Sequence, residues 1–114
     1  MSKRDSKLLL YDILESAQSI IEYTETYTYE GFLNDKRTID AVIRNYEVIG
    51  EASNKLSEEI KKTLPGVEWI KVRGFRNKLV HEYFGIEHKI LWNTKNEILP
   101  NLISSIKNLL TITD

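Results

Sequence analysis

Asp35-Lys36-Arg37-Thr38-Ile39-Asp40-Ala41-Val42-Ile43-Arg44-Asn45-Tyr46-Glu47-Val48-Ile49-Gly50-Glu51-Ala52-Ser53-Asn54-Lys55-Leu56 is the stretch that decides the fold. Ile39, Val42, Ile43, Tyr46, Ile49, Ala52 and Leu56 recur at three- and four-residue intervals. That spacing lines up one face of an α-helix. The helix is expected to begin at Asp35 or Thr38, either of which can cap a first turn, and to reach about Thr63. Gly50 lies inside it, at a helix-propensity cost of about 1 kcal/mol relative to Ala. Gly50, Ala52 and Ser53 leave one side small enough for close contact with another helix. Glu51 and Asn54 could face a groove beside it, although a solvated Glu is the commoner arrangement.

The flanks read the same way. Asp5 or Ser6 can cap a first helix, with Leu10, Ile13, Leu14, Ala17, Ile20 and Ile21 at helical spacing and an end near Thr26. Glu22, Tyr23, Glu25, Tyr27, Tyr29 and Glu30 then form an acidic, aromatic stretch. Such rings can stack on RNA bases, but the acids would repel phosphate, so packing over the end of a bundle is the expected role. Gly31 and Asn34-Asp35 mark a break or short turn. Leu64-Pro65-Gly66 should end the second helix. A third is expected from Val67 or Glu68 to a stop at Gly85, with Trp69 and Ile70 packed at its start and Gly74 open to a close neighbour. The last begins at Glu87 or His88 and carries Ile90, Leu91, Ile98, Leu99, Leu102, Ile103, Ile106, Leu109 and Leu110; Pro100 kinks or restarts it. Four main helices with short connections predict an all-α, antiparallel four-helix up-and-down bundle, with room for a short extra helix, in a single domain over 1–114.

Composition bounds the function. The 114 residues are 41% apolar and 29% charged, the balance of a globular chain rather than a disordered one. Five glycines and two prolines are few for a many-turned β fold. There is no cysteine, so no disulfide and no thiol chemistry. The N-terminus lacks a signal-peptide apolar run and no stretch approaches the ~20 apolar residues of a membrane span, which points to the cytoplasm. No phosphate-cradling glycine loop or zinc spacing occurs, and no cofactor or metal is expected. A formal charge of −1 excludes bulk attraction to nucleic acid, so any RNA binding must be local.

Such a local patch exists. Lys71, Arg73, Arg76 and Lys78 cluster, with no acid between Glu68 and Glu82, and His81 follows. Arginine holds phosphate through a planar fork of donors, and histidine exchanges protons near neutral pH. Together they suffice in principle for metal-free RNA cleavage. On a helix, Arg76 and His81 stand roughly 140° apart, too far for direct contact. Tyr83, Arg76, Arg73, Asn77 and His81 nevertheless share an arc about 160° wide, opposite Val72, Phe75 and Leu79. An arc that wide suits a groove shared with a second helix or subunit. Taken alone, such residues more often form a solvated helix face.

Arg76-Asn77-Lys78-Leu79-Val80-His81-Glu82-Tyr83 resembles the signature of the HEPN superfamily, and its form, with a tyrosine two residues after the histidine, is similar to the HepT branch. The wider string from Arg73 to Ile86 and the upstream Tyr46-Glu47-Val48-Ile49-Gly50-Glu51-Ala52 share the likeness. The resemblance implies an all-α homodimer whose two Arg/His motifs face one cleft. It implies a metal-independent endoribonuclease, the toxin of a HepT–MntA toxin–antitoxin pair. Arg76 and His81 would then be catalytic. Asn77 would support them, and Arg73, Lys78 and Tyr83 would contact RNA. Tyr83 is the candidate to receive AMP from a nucleotidyltransferase antitoxin. Other HEPN proteins lack nuclease activity, so a binding module that docks a nucleotidyltransferase is the alternative.

Overall fold

The computed structural model describes residues 3–81 and 87–113. Seven helices follow one another there: α1 (Lys3–Thr24), α2 (Tyr29–Leu33), α3 (Lys36–Lys55), α4 (Glu58–Lys62), α5 (Trp69–His81), α6 (His88–Glu97) and α7 (Leu99–Thr113). The expected all-α bundle is what forms, with no strand among the described residues. The four main helices of the sequence reading correspond to α1, α3, α5 and the α6–α7 pair. No helix among these residues is long and apolar enough to cross a membrane.

α3 is the centre. Its periodic residues Ile39, Val42, Ile43, Tyr46, Ile49, Ala52 and Leu56 are all buried. It packs against α1 on one side and α5 on another, and touches α2 and α6. α1 contributes Leu10, Ile13, Ala17 and Ile20, and α7 contributes Leu99, Leu102, Ile106 and Leu110. Both runs keep the three- and four-residue spacing that turns one helix stripe inward.

Caps fix the boundaries. Asp35, not Thr38, caps α3: the Thr38 amide donates to Asp35 Oδ1 at 3.1 Å and the Thr38 hydroxyl to Oδ2 at 2.9 Å. α3 stops at Lys55, short of the expected Thr63. Leu56 is extended, with φ −67° and ψ 139°, and Ser57 caps the separate α4 by accepting from the Ile60 amide at 3.2 Å. A local cap here overrides the apolar period. Leu64-Pro65-Gly66 therefore follows α4 rather than ending α3. α1 ends at Thr24, two residues before the expected Thr26.

Gly31 lies inside α2 instead of breaking the chain, because Thr28 caps that helix through the Gly31 amide at 3.0 Å. α2 also buries Phe32 completely, a core position that periodicity does not reveal in so short an element. Of the aromatic stretch, Tyr27 and Tyr29 pack on the core, Tyr29 6.0 Å from the Trp92 ring, whereas Tyr23 is exposed; Phe32, outside the stretch, lies 5.2 Å from the same ring. α6 ends before Ile98 and α7 starts at Leu99, so Pro100 stands in a first turn, where its missing N–H leaves no hydrogen bond unmade. The expected stop at Gly85 lies outside the described residues.

Ile70 corrects the sequence reading. It was expected to pack, yet it is 89% exposed. Val72, two positions on and about 200° around the helix, takes the inward place. Trp69 is half-buried, with the Lys61 ammonium 5.6 Å from its ring centre.

The Asp35 cap carries a pH signature. The Tyr27 hydroxyl donates to Asp35 Oδ2 at 2.5 Å, and with the Thr38 donors it holds the carboxyl below its usual 3.8. A folded value below the unfolded one contributes stability above the unfolded value, lost as pH falls through the folded value. Asp35→Ala should lower the melting temperature at neutral pH, and the gap to the parent should shrink as pH drops below 3.8. Circular-dichroism melts would measure it; a gap constant with pH would remove the ionised cap as its source.

Candidate active site

α5 carries the positive segment and is held from its apolar side. Val72 and Leu79 are buried, and Phe75 meets Tyr46 edge-on, with ring centres 4.7 Å apart and planes at 68°. The buried Tyr46 hydroxyl donates to the Leu91 carbonyl of α6 at 3.2 Å. Burial, and then the charge of Glu97, push the Tyr46 hydroxyl well above its usual value, so it stays a neutral donor. One side chain of α3 thereby ties down both α5 and α6.

Arg76 leaves α5 toward α3 and is half-buried. It lies on Gly50 so closely that a Cβ built there would overlap Arg76 Cγ and stand 2.8 Å from its Cβ. The side chain opens into a cleft of about 230 Å³ lined by Glu47, Glu51, Arg76, Leu79 and Val80. Glu47 and Glu51 are one helical turn apart, so both project from the same side of α3. An Arg76 Nη1 hydrogen bond runs to the adjacent Asn77 Oδ1 at 3.3 Å. Among the described residues no ion pair joins Glu47 or Glu51 to Arg76. Asn54, the other polar residue expected near the groove, is exposed and does not line the cleft.

The other expected residues sit farther out. Arg73, Asn77, Lys78 and His81 are exposed, and His81 is not part of the cleft wall. Arg76 and His81 are thus on different sides of α5, as their ~140° separation requires. Lys71 is paired with Glu68 at 2.8 Å, and that hydrogen-bonded carboxylate raises its pKa, so part of the positive patch is already neutralised. Tyr83 lies outside the described residues. Ile70, Gly74, Asn77 and His81 fall within about 60° of one another around the helix. Among the described residues, and leaving aside its chain neighbours and its own helix backbone, nothing comes within 4 Å of a Cβ built on Gly74, and Val80 beside this strip is 57% exposed. The neighbour expected at Gly74 is therefore not supplied by the described residues of the protomer.

The structure thus sets Arg76 alone of the expected residues against an acidic wall and leaves Arg73, Asn77, Lys78 and His81 exposed, with Asn77 linked to Arg76 by its hydrogen bond. Glu47 is the lining residue that chemistry-led reading missed. Its signal was available: two glutamates four apart with a glycine between them, on the longest helix. Among the described residues, no group of three or more His, Cys, Asp or Glu gathers that could hold a metal ion.

Comparison with known proteins matches residues 13–109 to the family model described as HepT-like, ribonuclease HepT-like. A Methanocaldococcus jannaschii protein provisionally named an RNase is 44% identical over 94% of this chain and 98% of its own length. A second from that organism, named likewise, is 43% identical over 96% of this chain and 91% of its own. A Thermococcus cleftensis protein provisionally named ribonuclease HepT is 40% identical over 94% of this chain and 97% of its own. No solved structure gives a significant match.

The Tyr46 tie is measurable. Tyr46→Phe keeps the ring contact with Phe75 and deletes the bond to Leu91, which should cost about 1 kcal/mol of stability. Urea unfolding should show a lower midpoint at unchanged slope. An unshifted midpoint would mean that the hydroxyl does not tie α3 to α6.

Proposed function

The chain belongs to the HepT-like ribonuclease family, and on that premise we propose that it is a metal-independent endoribonuclease whose site is completed between two copies. The observation that carries this reading is the split within α5. Arg76 is set in a cleft against α3, whereas His81 stands on an exposed strip with Ile70, Gly74 and Asn77. A two-fold axis along that strip would bury Ile70, fill the space over Gly74 and bring the two polar faces together.

The chemistry follows from the residue types. The ribose 2′-oxygen attacks the adjacent phosphorus, and the bond from phosphorus to the 5′-oxygen breaks. His81 takes the proton from the 2′-hydroxyl, gives one to the departing 5′-oxygen, or does both in turn. Arg76 faces the charge of the phosphorane, and Asn77 holds a phosphate oxygen or keeps Arg76 aimed. Arg73 and Lys78 draw the strand in, and Tyr83 contacts it. The product ends in a 2′,3′-cyclic phosphate. In the cell the protein acts as the toxin of a HepT–MntA-type pair, silenced when a nucleotidyltransferase antitoxin adds AMP to Tyr83.

Purified protein should cleave labelled RNA in EDTA, and His81→Ala and Arg76→Ala should each lose about 100-fold or more in rate while melting as the parent does. Intact mass must show the protein free of AMP. Full activity in His81→Ala would remove histidine from the mechanism, and a silent, unmodified parent would favour the docking module.

The dimer has its own test. Ile70→Glu places a charge on the strip and should turn the dimer into a folded monomer by light scattering, with cleavage lost in parallel. A parent that scatters as a monomer while cleaving RNA would rule out the shared site.

A further inference from the structure

We propose that Gly50 is a positioning residue for Arg76: its missing side chain sets the path of the arginine stem and so aims the guanidinium into the cleft. The significance of that aim rests on the ribonuclease reading above.

A glycine in the interior of α3 costs helix stability of about 1 kcal/mol relative to Ala. Glycine is commonly retained where the backbone needs a positive φ, but no described glycine has one. Gly50 is therefore not there for its backbone. What it provides is space, and Arg76 occupies that space: a Cβ would overlap Arg76 Cγ and stand 2.8 Å from Cβ, whereas real Cβ contacts essentially never fall below 3.0 Å. Backbone is not the near neighbour, since Arg76 Cα lies 3.8 Å away. An alanine would thus act on the arginine side chain first.

The far end of Arg76 is not held in the same way. A guanidinium has five N–H donors. Among the described residues its one hydrogen bond is the long 3.3 Å contact to the neighbouring Asn77, and no ion pair ties it to Glu47 or Glu51. The stem is fixed by packing while the head keeps donors for a ligand. That division suits a group that must meet charge developing on phosphorus, because a committed ion pair would have to break first. It also explains how a partly buried arginine can face two carboxylates without being locked to them.

The test combines Gly50→Ala with three residues at position 76. In the parent, Gly50→Ala should lower the melting temperature despite the better helix former. It should lower it equally with Arg76→Lys, whose Cβ and Cγ are the same. With Arg76→Ala, which lacks Cγ, the drop should shrink or become a rise. If Gly50→Ala alone fails to fold, recovery of folding by adding Arg76→Ala gives the same answer. Equal changes in the Arg and Ala backgrounds would overturn the proposal.

Cleavage supplies the readout that packing alone would not move. Well below its melting temperature, Gly50→Ala should lose 10- to 100-fold in kcat with KM changed by less than about 3-fold, the pattern of a displaced transition-state contact. Added to Arg76→Ala it should cost nothing more. A kcat within 2-fold of the parent would also overturn the proposal. If the parent itself cleaves no RNA, the ribonuclease reading fails, and the melting comparison still decides whether Gly50 sets Arg76.

Discussion

The contact between α3 and α5 is the constraint on which the rest depends. Its two anchors differ in kind. Tyr46 is a large buried ring that meets Phe75 and reaches Leu91, so it fixes α5 and α6 to the central helix at once. Gly50, one turn along, is the absence of a side chain and admits Arg76. A helix with bulk at one turn and a gap at the next sets both the angle of its neighbour and the place where a long polar side chain can cross. Without the Tyr46 anchor the gap at Gly50 would have nothing to hold open. Without the gap, the anchor would bring α5 close and force Arg76 outward.

Charge is arranged on the same plan. With a net charge of −1 the chain has no long-range pull on RNA, so binding must be won at short range. The positive segment of α5 is weaker than its sequence suggests, since Glu68 holds Lys71. The cleft also sets Glu47 and Glu51 near Arg76. Carboxylates there would discourage a phosphate that approaches without the correct geometry, and a guanidinium fixed by its stem would reward one that has it. In the proposed site, discrimination of this kind would depend on aim more than on total charge, and so on the packing of Arg76 against Gly50 more than on exposed lysines.

Much of this was legible in the sequence, for identifiable reasons. The α3 core face needed only the three- and four-residue period from Ile39 to Leu56. Local chemistry narrowed the α3 cap to Asp35 or Thr38 and offered a kink or a restart at Pro100, and the assembled structure chose Asp35 and the restart. The end of α3 was misjudged because Leu56 continues the apolar period while its backbone turns extended, and Ser57 opens a new helix there. Ile70 was misjudged because hydrophobicity was taken for burial; helical geometry relative to Val72 already placed it outward. Phe32 escaped because a five-residue helix shows no period. In the site, the separation of Arg76 from His81 followed from 100° per residue, but the partner of Gly50 could not, because close approach of two helices is a property of the assembled bundle.

The same geometry bears on how such a site could be silenced. In the proposed pair, AMP joined to Tyr83 adds a phosphodiester anion two residues beyond His81 in the chain. The nearest Lys and Arg side chains in sequence are Lys78, Lys89 and Arg76. A tethered phosphate competes for those donors at an effective concentration that free RNA does not reach, and its charge repels the incoming strand. An arginine with donors already committed to Glu47 and Glu51 would respond little to such an anion. One held by its stem, with its head uncommitted, can be captured by it. On this reading, the packing that readies Arg76 for substrate also exposes it to a covalent inhibitor of the same chemistry.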